Sequence, residues 1–429
     1  MAAPPPRTVP VSLDPAHHHA YTDFMVQLGL MRPTTTHTKR KRASTNVRKR
    51  EPFDTMLAGA RGLPRAGRPK PSLQLIMHYG PLSEWGPPTL PPGTSNNEQA
   101  TISDMLSEEQ RIDCETLFKI MMIGRPNLAP VIRQLYVDSE LDPAPWDQLI
   151  LKLSAAARDA RTQDTNRWRN EVELIMAPSP MHLLLPRLST DSKSDRGPSH
   201  SILGVEMLGC VKRALIEDVY YPQIDPNDSS KLLPKPASTK IICAKGLDIQ
   251  RQLADGTFKY SPKVLPSAFW KGGACDPDNP EEGLFRSDSF VRAFRFEYLG
   301  KEATRNGMQG ALPDARSVAT LCGLYQVTPR MVGYVACQMR VMLSQYDWDH
   351  SGDDFDYDAM FEAILKLFNE EGMEEWARET LEFLQNAVFK GKITPPTPEN
   401  DDDDDSEDEL AAARRRRAAA RAASTSESE

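Results

Sequence analysis

The sequence predicts a mainly α protein: an irregular helical domain with a C-terminal helical bundle, flanked by disordered N- and C-terminal tails. Two observations carry this. Between residues 284 and 388, apolar residues recur about every 3.6 positions, the period of one helix face. Towards both ends the composition shifts to Pro, Gly, Arg and Asp, which build little core. The net charge of −8 is also unevenly spread. Residues 1–97 carry 13 Lys and Arg against 5 Asp and Glu, residues 98–391 carry 33 against 44, and residues 392–429 carry 6 against 11. An acidic body argues against a broad nucleic-acid surface, because phosphate binding rests on excess cations.

Residues 1–97 read as a disordered, basic, Pro-rich head. Apolar residues gather there only in short patches, at 24–30 and 73–77, too few to offset the entropy of ordering the chain. Within the head, Lys39, Arg40, Lys41 and Arg42, followed by Arg48, Lys49 and Arg50, make a candidate nuclear localisation signal. Acidic grooves on a nuclear import carrier read such cations on extended chain. A solvated charge run, or a nonspecific nucleic-acid arm, is the plainer reading of the same residues.

The folded body is expected over residues 98–391. Its first part, 98–220, is helical. Ser107-Glu108-Glu109-Gln110 is a capping-box pattern, and Cys114, Leu117, Phe118 and Met121 follow at helical spacing. Gly124-Arg125-Pro126 ends that helix. A short helix is expected over 128–137. Asp142 before Pro143 marks the next start, with Trp146, Leu149, Ile150, Leu153, Ala157 and Ala160 on one face. Two further helices are expected over 166–176 and 202–219, on either side of a polar loop at 187–200.

The middle part, 221–283, is poorly patterned. Residues 240–244 and 256–260 are candidate short strands, and no fold is assigned to 222–266. The last part, 284–391, is four helices. The first runs over 284–298 with Phe290, Phe294 and Tyr298. Thr328 and Pro329 begin the second, which is apolar on most sides and therefore central. The third carries Tyr357, Met360, Phe361, Ile364 and Phe368. The fourth follows Gly372 with Trp376, Ala377, Leu381, Leu384 and Val388. Matching stripes on short joints make a bundle. Residues 392–429 form a disordered tail, acidic at 401–409 and then rich in Arg and Ala.

The stretch Asp276-Pro277-Asp278-Asn279-Pro280-Glu281-Glu282-Gly283-Leu284 leads into Arg286-Ser287 and Ala293-Phe294. Ala303-Thr304-Arg305, Val327-Thr328-Pro329-Arg330, Tyr334-Val335-Ala336, Gln338-Met339-Arg340 and Phe355-Asp356-Tyr357 follow, with residues 157–165 upstream. In these stretches the body resembles a large family of uncharacterised proteins from mushroom-forming basidiomycete fungi, built on one domain of unknown function. The resemblance covers residues 107–389, best in the C-terminal half. It implies a mostly helical domain and brings no activity or binding residues with it. Residues 222–266 fit poorly, and residues 307–324 stand where relatives often have a more basic linker.

The acidic turn Asp276, Asp278, Asn279, Glu281, Glu282 and Gly283 has two readings, a carboxylate or metal site and a structural turn. The structural one is favoured: Asp and Asn accept from nearby backbone N–H groups, and Glu near a helix start suits the dipole. Asp347-Trp348-Asp349-His350-Ser351-Gly352-Asp353 begins like a calcium loop, but the twelfth position is Asp358 rather than a bidentate Glu. Gly204 and Gly209 miss a phosphate loop, because Cys210 stands where Lys must follow. His17-His18-His19 is placed in the disordered head. Six cysteines without a CxxC pair read as reduced thiols. The N-terminus lacks the apolar run of a secretory signal, and the apolar stretch at 332–343 is too short and too polar for a membrane span.

No catalytic, cofactor-binding or metal site is assigned. The expected function is a non-enzymatic protein-interaction module with a nuclear address, the cytoplasm being the alternative location. Its protein partner is not identified by sequence, apart from the import carrier. Two alternatives stand beside it. One is a nucleic-acid-associated protein that binds through residues 39–50, Arg61, Arg65, Arg68, Lys70 and the arginines at 414–417. The other is an enzyme whose active site is assembled from distant residues.

Overall fold

In a computed structural model the described residues are 13–31, 52–87 and 105–389, apart from 239, 277, 306–309, 315 and 349–354. Among them, sixteen α-helices and one two-stranded antiparallel sheet bear out the mainly α class. The basic cluster at 39–50 and the tail at 392–429 lie outside the described residues.

The head departs from expectation. Three helices form in it: α1 (Pro15–Gln27), α2 (Pro52–Ala66) and α3 (Leu73–Trp85). Tyr21, Phe24, Met25 and Leu28 are buried on one face of the first, and Phe53, Met56, Ala60 and Leu63 on one face of the second. Averaged over 97 residues, those stripes are diluted by Pro and Arg; counted turn by turn, they have helical spacing. Pro64 and Pro81 even lie inside α2 and α3. The stripes close on α4 (Glu108–Met122), α5 (Ala129–Asp138) and the first half of α6 (Ala144–Arg169), making a first core. The capping box forms at α4, where Ser107 N donates to Gln110 Oε1 at 3.0 Å and Gln110 N to Ser107 Oγ at 3.3 Å. Gly80 permits the close approach of α3 to α4, since a Cβ there would lie 2.4 Å from the Phe118 side chain.

The helix expected at 166–176 is instead the end of α6 and a separate α7 (Val172–Met176). The helix expected at 202–219 is broken into α8 (Leu203–Glu206) and α9 (Cys210–Arg213). The break admits the 264–267 loop: Ser267 N donates to Leu208 O at 2.6 Å, and a Cβ on Gly209 would lie 2.4 Å from Val264 Cγ1. The candidate strands at 240–244 and 256–260 do not form. The sheet is β1 (Ile224–Asp225) against β2 (Asp228–Leu232). Residues Ala244–Ala254 are a helix, α10, whose Ile249 and Leu253 join Leu208, Ile216 and Phe258 in a small satellite core.

The second core holds α11 (Asp288–Tyr298), α12 (Lys301–Arg305), α13 (Val318–Cys322), α14 (Pro329–Leu343), α15 (Tyr357–Phe368) and α16 (Glu374–Val388). α11 starts four residues later than expected, because Ser287 caps it, accepting from Phe290 N at 3.0 Å and donating to Ala268 O at 2.6 Å. α14 is central, as its all-round apolarity predicts. It is buried from Met331 to Leu343 and packs on α2, α6, α11 and α15. No helix among the described residues is long and apolar enough to cross a membrane.

Candidate functional site

The most concentrated charge in the interior lies where the two cores meet. Asp164 and Thr165 come from α6, Arg65 from α2, Glu297 from α11, and Tyr334 and Gln338 from α14. Arg65 donates to Asp164 from Nη2 at 2.6 Å and from Nε at 2.8 Å, and from Nε to Glu297 Oε1 at 3.1 Å. Tyr334 donates its phenolic proton to Asp164 at 2.7 Å, and Gln338 Nε2 donates to Tyr334 at 2.8 Å. Glu297 also accepts from Trp168 Nε1 at 2.7 Å and Arg167 Nη2 at 3.1 Å. Tyr298 closes the ring by donating to the Arg65 carbonyl at 2.6 Å.

Asp164 and Glu297 are both fully buried. Burial pushes the Glu297 carboxyl up to about 7; Asp164 adds to the rise, while Arg167 and Arg65 oppose it. Both carboxylates are filled by donors from the protein itself. The cluster therefore ties α2, α6, α11 and α14 together as an ionic rivet. Part of its signal is visible in the sequence: Glu297 stands between Phe296 and Tyr298, and Gln338 and Arg340 interrupt an apolar run. Arg65, in a head read as disordered, offers no such cue.

Other buried ionisable groups have similar work. Lys193 reaches the C-terminal end of α14, donating to Val341 O at 2.7 Å, to Tyr346 O and to Asp347 Oδ1 at 3.1 Å. Arg196 donates to Met342 O at 2.9 Å and Arg169 O at 2.7 Å. Both cations meet carbonyls that a helix end leaves unpaired. His200 Nδ1 accepts from the Ile202 and Leu203 amides at 3.2 and 3.3 Å, and Nε2 pairs with Pro186 O at 2.8 Å. Neither ring nitrogen is left for a substrate.

The acidic turn is built as follows. Asp276 Oδ1 accepts from Asp278 N at 2.9 Å, Glu282 N donates to Asn279 O at 3.1 Å, and Gly283 takes φ +77°. Two tryptophans hold it from below: Trp270 Nε1 donates to Pro280 O at 2.8 Å and Trp376 Nε1 to Glu281 O at 2.9 Å. Asp276, Asp278, Asn279 and Glu282 are exposed. Among the described residues no group of three or more His, Cys, Asp or Glu is placed to hold a metal ion. Of the calcium-like loop, Asp347 is paired with Lys193 and Arg169, and Asp356 caps α15. Residues 349–354 lie outside the described residues.

Two of the cavities among the described residues carry polar side chains of interest in their walls. One, of about 550 Å³, is lined by Ser179, His182, Asp288 and Arg292; there Ser179 Oγ and His182 Nδ1 stand 2.8 Å apart, three residues from each other in one turn. The other, of about 380 Å³, lies between the satellite core and the end of α14, with Arg340, Lys259, Tyr260, Ser344 and Phe355 in its wall. Sequence reasoning named none of these as site residues, because their partners come from loops without periodicity.

The architecture is thus a helical domain riveted by buried charge onto an N-terminal helical layer. The chain belongs to a family of unknown function, DUF6698, whose model matches residues 155–389, from the second half of α6 through the whole second core. No curated protein and no solved structure is a significant match to the chain.

Proposed function

We propose that the protein is a non-enzymatic protein-interaction module with a nuclear address; the fungal, basidiomycete source that the sequence resemblance implies is part of the same reading. The observation that carries it is the position of the basic cluster. Lys39, Arg40, Lys41, Arg42, Arg48, Lys49 and Arg50 belong to the segment joining α1 to α2, and both helices are packed into the first core. In the sequence the cluster thus stands between two helices of the first core, so an import carrier that binds it is joined through the chain to the folded body. The engagement of Asp164, Glu297, Lys193 and His200 in internal bonds supports the non-enzymatic part.

The nucleic-acid reading is narrowed by geometry. Arg65 is buried against Asp164 and Glu297, Arg68 pairs with Asp113 and Glu362, and Lys70 donates to Trp348 O at 3.4 Å. Those three cations are occupied, which leaves residues 39–50, Arg61 and the arginines at 414–417 for phosphates. The test is a fluorescent fusion of the full chain in which the seven clustered cations are changed to Ala. Nuclear accumulation should be lost, and unchanged accumulation rejects the address. Binding to duplex DNA that falls steeply with salt and vanishes in the same variant would favour the nucleic-acid reading instead.

A further inference from the structure

We infer that the cavity beside Arg340 is a binding site for a small organic acid, with a terminal carboxylate or phosphate at the guanidinium edge and a flat apolar body among the rings. This does not rest on the nuclear address. Arg340 is 97% buried by its neighbours, being only 3% exposed, and projects from a turn of α14 that is otherwise core. Two rings lie against it: Cζ is 4.3 Å from the centroid of the Phe355 ring and 5.0 Å from that of Tyr260. Stacking of this kind fixes the plane of the guanidinium. Nη1, at the edge of the guanidinium, is buried and has no hydrogen-bond partner.

A buried cation with an unfilled donor is costly unless an anion meets it. At Arg65 the same problem is solved internally, by Asp164. At Arg340 a cavity of about 380 Å³ opens instead, a size typical of small-molecule sites. Lys259, exposed at the rim, adds a second positive charge, and no carboxylate is among the described residues of the lining. The in-plane N–H groups of a fixed guanidinium match the two oxygens of a carboxylate or phosphate. The rest of the wall is mixed: Pro198, Met207, Phe258, Tyr260 and Phe355 give it apolar and aromatic surface beside Thr257, Ser344 and Gln345. Phe258 sits edge-on to Tyr260 at 4.9 Å, and Tyr260 is itself anchored by donating to Gly204 O at 3.1 Å. That lining favours an organic acid over a bare inorganic ion.

The experiment titrates the full chain with benzoate, phenyl phosphate and inorganic phosphate, by calorimetry and thermal shift at low ionic strength. Saturable one-to-one binding of benzoate or phenyl phosphate is expected, and which of the two binds tells carboxylate from phosphate. Arg340→Lys, which keeps the charge but loses the planar fork, should weaken that binding at least tenfold. Thr257→Trp, at an exposed rim position, should block the cavity without entering the core and guards against a folding defect at Arg340. The proposal is overturned if neither organic probe saturates at millimolar concentration, or if both variants bind as the wild type does. It is equally overturned if inorganic phosphate binds as tightly as the organic probes.

Discussion

Arg65 and Asp164, separated by 99 positions in the chain, make a two-pronged ion pair at 2.6 and 2.8 Å inside the protein. One partner comes from the N-terminal layer, the other from the stretch that defines the family. Arg65 also serves Glu297 at 3.1 Å, so a single guanidinium answers two buried carboxylates.

Arg65→Met should therefore destabilise the protein by about 3–5 kcal/mol, the cost of stranding buried charge. Urea unfolding of the variant measures it, and a loss below about 1 kcal/mol would contradict the rivet. Asp164→Asn together with Arg65→Met should cost less than the sum of the two single changes, because the partners share one interaction.

Arg295 presents the opposite case. It is fully buried on α11, and none of its three guanidinium nitrogens has a hydrogen-bond partner. Arg295→Met keeps the aliphatic stem and removes the charge. Stability should rise by about 1–3 kcal/mol, the penalty of an unsatisfied buried polar group. A lower unfolding midpoint for this variant would show that the guanidinium is held by more than packing.

Lys193 should give the protein a pH signature. Burial pulls its ammonium down to about 8 from an ordinary value of 10.5, against the attraction of Asp347 and with Arg196 and Arg169 adding to the fall. A folded-state value below the unfolded one means that the unfolded chain binds more protons across this interval. The contribution is then fully present above pH 10.5 and lost as pH falls through about 8. Between those limits wild-type stability should rise with pH relative to Lys193→Met. Parallel pH–stability curves for the two proteins would refute the shift.

Gly80 should tolerate no side chain. Its Cβ would meet the Phe118 ring at 2.4 Å, and Phe118 is buried between α3 and α4. Gly80→Ala should cost about 1–3 kcal/mol through overpacking, whatever Ala gains in helix propensity. Gly29→Ala, where nothing lies within 4 Å but φ is +77°, separates backbone strain from crowding.

The two ends of the second core show what sequence could and could not reveal. Thr328 and Pro329 announce α14, and Tyr357, Met360, Phe361 and Ile364 announce α15, since cap chemistry and period act within a few residues. Three features resist that local reading. α1 to α3 are short apolar stripes set among Pro and Arg, and they earn their stability from α4 to α6, not from their own composition. The α8–α9 break answers to Val264 and Ser267, more than fifty residues away. The Arg340 cavity needs Tyr260 and Phe355 to converge from two loops. In each case a long-range contact outweighs the local preference.

α6 has one more implication. Its 26 residues make a rod about 39 Å long, at 1.5 Å per residue. Trp146, Leu149 and Leu153 are sunk in one core and Trp168 in the other. The family border at residue 155 cuts across the middle of this rod. A fragment begun there would inherit half a girder with its socket missing, so expression trials and gene fusions should begin upstream of α1. One continuous helix thus threads both cores and adds a covalent span to the Arg65–Asp164 pair that joins them.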